Sequence, residues 1–174
     1  MEFRNLRADE IDVRVSQAKA SGVSLLLYKD ARADMTILDE TVGAMNWMRQ
    51  HCRENANCIV SIWDDKKQQW ISKEDTGTES NTEKEKGLAS DSFKRACFNW
   101  GIGRELYTAP FIWIKADDCT ALSSSGDRWK CFDEFVVEKI IIEDKKIKAL
   151  AIKNAKSGKR CFVWQDPSFK TKNN

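Results

Sequence analysis

The stretch from Glu79 to Gly103 constrains the fold more than any other part of the chain, because its apolar and polar periodicities are satisfied together by one helix. Thr82 followed three residues later by Glu85 makes a capping box, and Ser80 with Glu83 offers an alternative start, so the helix is expected to begin near residue 82. Gly101 and Gly103 end it. Leu88, Ala89, Phe93, Ala96, Cys97 and Trp100 recur at helical spacing and form the expected buried stripe. Ser90, Asp91, Lys94 and Phe98 are then turned away, and Arg95 lies near the border, so the adjacent Lys94-Arg95 pair is displayed at the surface. A displayed Lys-Arg pair suits gripping phosphate better than catalysis. From spacing alone it fits equally well a solvated face whose cations pair with Asp91 and neighbouring acids.

Elsewhere the alternation is that of strands. Ile11, Val13 and Val15 alternate with Asp12, Arg14 and Ser16, which predicts a half-buried strand over residues 11 to 19 with Arg14 on its polar face. A second strand is expected over 22 to 29, and further strands at 58 to 63 and 69 to 73, joined by Asp64-Asp65-Lys66-Lys67. Thr36 is placed to cap a helix running to about Arg53, with Leu38, Val42, Met45 and either Trp47 or Met48 as its core stripe. A short strand from Phe111 to Lys115 follows Pro110, and residues 117 to 127 read as a loop rich in Ser and Asp. Segments 132 to 142, 147 to 153 and 160 to 164 read as a three-stranded meander within residues 131 to 165, and Lys170 to Asn174 as a frayed end. This order predicts an α+β fold, an antiparallel sheet with helices packed on one face, and at 174 residues the chain fits one such domain.

Composition restricts function without choosing it. A formal charge of +2 is too small to mark a nucleic-acid binder by bulk electrostatics, so any basic surface must be local. No run of 18 apolar residues and no secretory leader is read, which points to a cytoplasmic protein with no membrane partner. Cys52, Cys58, Cys97, Cys119, Cys131 and Cys161 are scattered with no CxxC, and His51 is the lone imidazole; this disfavours zinc and predicts reduced thiols, no metal and no cofactor. No loop has the Walker spacing, which disfavours ATP use.

The acidic-plus-glycine turn at Asp75 and Gly77, the polar segment after it, and a helix carrying Phe93-Lys94-Arg95-Ala96 and leaving through Trp100-Gly101 resemble the DNA-annealing domain of the Rad-fifty-two family, including its bacteriophage and prophage members. The resemblance covers roughly residues 8 to 113, and its specific part is the helix motif. It implies that Lys94 and Arg95 line a groove for single-stranded DNA, that Arg14 in a family-like first strand (Glu10 to Arg14) reaches the backbone, and that protomers assemble into a ring or helical oligomer. It also implies an ATP-independent, non-enzymatic annealing role in recombination and repair, with phage or host recombination proteins as further partners. The chain departs from the family one turn after the Lys-Arg pair, where Phe98 replaces a further basic residue and offers stacking instead.

Other candidates are weighed on the residues. Lys145, Lys146, Lys148, Lys153, Lys156, Lys159 and Arg160 outweigh Glu143 and Asp144 by five charges, which suggests a secondary DNA path or a lysine-rich solubilising hairpin. Among seven tryptophans, Trp63, Trp100 and Trp113 are expected in the core, while Trp70 and Trp129 are the candidates for base stacking. Arg14 also fits plain surface. Asp64-Asp65 and Asp117-Asp118 would suit a metal-dependent nuclease, yet both fall in turn-like sequence, and a single-strand binding module without annealing activity is a third reading.

Overall fold

The period-two segments form strands and the glycine-bounded segments form helices, in the chain order β1 (Ile11–Lys19), β2 (Gly22–Lys29), α1 (Ala31–Val42), β3 (Trp47–Cys52), β4 (Asn57–Asp64), β5 (Gln69–Thr76), α2 (Lys84–Trp100), β6 (Ile112–Lys115), β7 (Leu122–Ser125), β8 (Arg128–Cys131), β9 (Phe135–Glu143), β10 (Lys146–Asn154) and β11 (Arg160–Gln165). This is a computed structural model describing residues 1 to 78 and 84 to 169, without the side chains of 84 to 86. The two capping boxes expected at 80 to 85 and the tail from Lys170 lie outside the described residues. The architecture is α+β with antiparallel strand pairing. The chain gathers into two compact units: Met1–Leu6 with Lys29–Arg104, and Arg7–Tyr28 with Glu105–Asn174.

In the first unit β3, β4 and β5 form a three-stranded sheet against which α2 packs through β4 and β5. Its buried side chains come from three layers: Ile37 and Leu38 on α1, Cys58, Val60 and Ile62 on β4, and Phe93, Ala96 and Cys97 on α2. The helix expected from Thr36 to Arg53 is instead two elements. Asp30 caps α1, its carboxylate accepting from the Arg32 amide at 2.6 Å, and Gly43 ends it at φ 84° with its amide on the Asp39 carbonyl. The chain then turns into β3, which pairs with β4 from Trp47↔Ile62 to Cys52↔Asn57. Met45, expected in the helix stripe, is 89% exposed as a result. Backbone pairing along a whole strand outweighs the weak helical periodicity of Met45 and Met48.

In the second unit six strands run in the order β11-β10-β9-β1-β2-β6. Edge strands β11 and β6 also meet, so the sheet curls towards a barrel around Val23, Leu25, Ile112, Ile114, Phe135, Ile147, Leu150 and Ile152. Irregular register between β9 and β10, at Ile147/Ala149 and Ala151/Ile152, supplies the coiling such closure needs. The β9–β10 turn is made by Asp144 and Lys145, both with positive φ, the geometry that matches strand twist in a two-residue hairpin. The segment read as a loop from 117 to 127 contains β7, which pairs with β8 across Gly126-Asp127.

Candidate nucleic-acid interface

Helix α2 is fixed at its C-terminus by backbone chemistry. At its C-terminus Gly101 takes φ 95°, its amide bonding to the Phe98 carbonyl while the Ile102 amide reaches the Cys97 carbonyl, the paired bonds of a Schellman ending. Arg104 donates to the carbonyls of Phe98 at 2.7 Å and Asn99 at 3.0 Å, and Lys73 donates to the Asn99 carbonyl at 2.8 Å. Both cations complement the negative end of the helix. On the β5 side Gly77 lies so close that a β-carbon there would stand 2.7 Å from the Ser92 amide nitrogen and 2.9 Å from the Leu88 carbonyl. A side chain at 77 would push the helix off the sheet.

The buried face of α2 consists of Ser92, Phe93, Ala96 and Cys97, whereas Leu88, Ala89 and Trp100 are half-buried. Ser92 was not part of the expected stripe; its hydroxyl donates to Asn55 O at 3.0 Å and lies 3.4 Å from His51 Nδ1. His51 itself is on β3, and burial and then Arg49 lower its pKa. Lys94 and Arg95 are half-buried rather than fully displayed, and they straddle the outer side of the helix. Lys94 faces the start of α1, where its charge reinforces the lowering of the Asp30 pKa, caused mainly by hydrogen bonds from Arg32. Among the described residues its ammonium has no hydrogen bond or ion pair. Arg95 leans towards β5, with Nε 3.5 Å from Asp75 Oδ1; Nε is buried, yet the side chain is 42% exposed, so its open part is the rest of the chain. Asp91 does not neutralise this pair: its Oδ2 accepts from the Thr78 amide at 2.8 Å and lies 3.2 Å from the Thr78 hydroxyl.

Three aromatic rings of α2 each carry a cation on a face: Arg49 lies 4.9 Å from the Phe93 centroid, Lys29 4.3 Å from Phe98 and Lys73 4.6 Å from Trp100. Phe98 is therefore not turned to solvent as expected; it is half-buried with one face occupied. Lys29 and its partner Asp34 are the residues sequence reasoning missed. Both are buried, Lys29 donates to an Asp34 carboxylate oxygen and to the Lys94 carbonyl at 3.3 Å, and its stem packs on Gly103. Burial pushes the Asp34 carboxyl up to about 6, and the Lys29 charge limits the rise. The sequence carried one faint signal, a lysine and an acid five positions apart at a strand-to-helix junction.

The remaining candidates sort by environment. Trp70 is 41% exposed and packs edge-to-face on its cross-strand partner Trp63 at 5.5 Å, whereas Trp129 is half-buried in β8 and is not the exposed ring expected. Trp63, Trp100 and Trp113, expected in the core, are half-buried too. Arg14 belongs to the second unit, exposed on β1 with its guanidinium 5.9 Å from the Tyr28 centroid. In the lysine-rich meander Lys148 pairs with Asp166 at 2.9 Å, Lys159 with Asp118 at 2.5 Å and Arg160 with Glu138 at 2.5 Å. These acids cut the excess of five charges to two, while Lys146, Lys153 and Lys156 keep no ion pair within 4 Å among the described residues. The carboxylates read as nuclease candidates serve the backbone and its cations: Asp64 accepts from the Lys66 and Lys67 amides, Asp65 from Trp63 Nε1, and Asp118 holds Lys159. No helix among the described residues is long and apolar enough to cross a membrane.

No family model matches the chain, no curated protein matches it, and no solved structure matches it.

Proposed function

We propose that this protein binds single-stranded DNA and anneals complementary strands without nucleotide hydrolysis, as an oligomer with the annealing fold and role of the Rad-fifty-two family. The observation that carries the reading is the outer side of α2, where the unpartnered ammonium of Lys94 stands beside Arg95, whose ion pair with the half-exposed Asp75 is weak enough to yield to a phosphate. Arg49, Lys73 and Arg104 surround the same helix, so a chain of modest net charge still concentrates positive potential locally. The glycine at 77 and the aspartate at 75 explain physically why an acidic-plus-glycine turn accompanies the Lys-Arg helix: one permits the close approach and the other orients Arg95.

In this reading Lys94 and Arg95 fix the sugar-phosphate backbone and leave base edges free to test a second strand, and Arg14 on β1 of the other unit is a separate candidate backbone contact. Trp70 is the residue best placed to add stacking. Lys146, Lys153 and Lys156 in the β9–β11 meander supply a weaker secondary surface. Assembly multiplies a few contacts per protomer into tight binding. Support for self-association comes from the open edges of the β3-β4-β5 sheet and from Phe111 and Phe132, both more than 70% exposed.

The test is the double substitution Lys94→Glu/Arg95→Glu. It should abolish single-strand binding in low salt and annealing in chelator without ATP, while the circular dichroism spectrum is unchanged and mass measurement still gives a multi-subunit assembly. Unchanged affinity would remove the proposal. A wild-type protein that is strictly monomeric yet binds single strands would make it a binding module, and one that cleaves DNA in magnesium would make it a nuclease.

A further inference from the structure

A second cluster lies wholly within the second unit and owes nothing to the DNA-binding reading. Cys119 follows the short helical turn Ala116–Asp118, Cys131 ends β8, and Asp133 comes just before β9. Their two sulfurs and a carboxylate oxygen all lie within 4.8 Å of one another, the one such grouping of His, Cys, Asp or Glu among the described residues. Cys131 Sγ stands 3.4 Å from Asp133 Oδ2. Ligands on a tetrahedral zinc, with Zn–S of about 2.3 Å and Zn–O of about 2.0 Å, stand about 3.5 Å apart, so this pair already has the separation that sharing one ion requires.

We infer that Cys119, Cys131 and Asp133 form a zinc-binding site with a fourth position left for solvent. The ligand set is chemically coherent, since thiolates select zinc over the harder divalent cations, and the carboxylate completes a mixed sulfur and oxygen set. Asp133 is buried and held in place: Oδ2 accepts from the amides of Thr120 at 2.7 Å and Ala121 at 3.1 Å, and Oδ1 accepts from the Thr120 hydroxyl. Such outer hydrogen bonds fix a ligand's orientation before the ion arrives. On binding, each thiol gives its proton to solvent and its sulfur lone pair to the metal, with no change of oxidation state. The ion would tie the turn before β7 to the end of β8 and stabilise this unit.

The experiment titrates fully reduced, metal-stripped full-length protein with Co²⁺ and reads the thiolate-to-cobalt charge-transfer band. One equivalent should produce the band, and excess Zn²⁺ should bleach it. Cys119→Ser and Cys131→Ser should each abolish it, Asp133→Asn should weaken cobalt binding at least about tenfold, and Cys52→Ser in the other unit should leave it intact. Because a variant can fail to fold, the wild type supplies a second readout: Zn²⁺ should protect Cys119 and Cys131, but not Cys52, from alkylation mapped by peptide mass. No band in the reduced wild type, a band that survives in the Cys119→Ser/Cys131→Ser double variant, or equal alkylation of Cys119 and Cys131 with and without Zn²⁺ overturns the site.

Discussion

Replacing Lys29 by methionine tests how helix α2 is supported. The ammonium is 1% exposed and neutralises Asp34, which is 0% exposed and whose Oδ2 has no hydrogen-bond partner. Lys29→Met keeps the aliphatic stem against Gly103 but leaves a carboxylate uncompensated in the interior, and breaking a buried pair from one side costs about 3 to 5 kcal/mol. Lys29→Met/Asp34→Leu removes both charges and should recover most of that loss, because two apolar groups need no mutual compensation. The pair of variants with Asp34→Leu closes a double-mutant cycle, read by urea unfolding followed through tryptophan fluorescence. The pH dependence has a definite sign. The Asp34 carboxyl is raised from 3.8 to about 6 in the fold, so its stabilising contribution is present below the unfolded value and lost as pH rises through about 6. In Lys29→Met the cation that limits this rise is gone, so the deficit should be large at pH 8 and shrink towards pH 5 as the carboxyl takes up a proton. A deficit below about 1 kcal/mol, or one that is the same at both pH values, would refute the claim that the pair is buried and coupled.

Further outcomes follow from the same geometry. Asp75→Asn removes the counter-ion of Arg95; it should change stability by no more than about 1 kcal/mol and tighten single-strand binding, and weaker binding in a filter assay would contradict the proposed role of Arg95. Gly77→Ala forces a methyl onto the Ser92 amide and should lower stability by about 1 to 3 kcal/mol in thermal unfolding and weaken DNA binding with it. If Lys94 and Arg95 make the two phosphate contacts proposed, Lys94→Ala/Arg95→Ala should reduce the slope of log affinity against log salt by about 1.4, measured by fluorescence anisotropy with a labelled single strand. Gly101→Ala, at φ 95° with open space for a methyl, should cost about 1 kcal/mol through backbone strain alone and leave that slope unchanged.

Local chemistry alone determined β1, β2, the β9–β11 meander and α2. Period-two alternation, a two-residue turn and a glycine after a helical stripe are satisfied within a few neighbouring residues, so these elements are legible one segment at a time. The same reasoning turned Lys94 off the buried stripe and put Arg95 near its border, and both are half-buried. It failed at residues 44 to 53, where the apolar spacing permits a helix but Gly43 ends α1 and β4 offers a full ladder of hydrogen bonds to β3. It failed also for Phe98, because what covers a ring is a partner remote in sequence, here Lys29 from β2, and for Trp129, which is half-buried in β8. The Lys29–Asp34 pair beneath α2, the diversion of Asp91 to Thr78 that leaves Lys94 unpaired, and the meeting of Cys119, Cys131 and Asp133 were decided only by tertiary structure. Each depends on where side-chain atoms from separate elements converge. Residue spacing does not encode that convergence, since a charge or thiol is solvated or buried according to the surfaces that close over it.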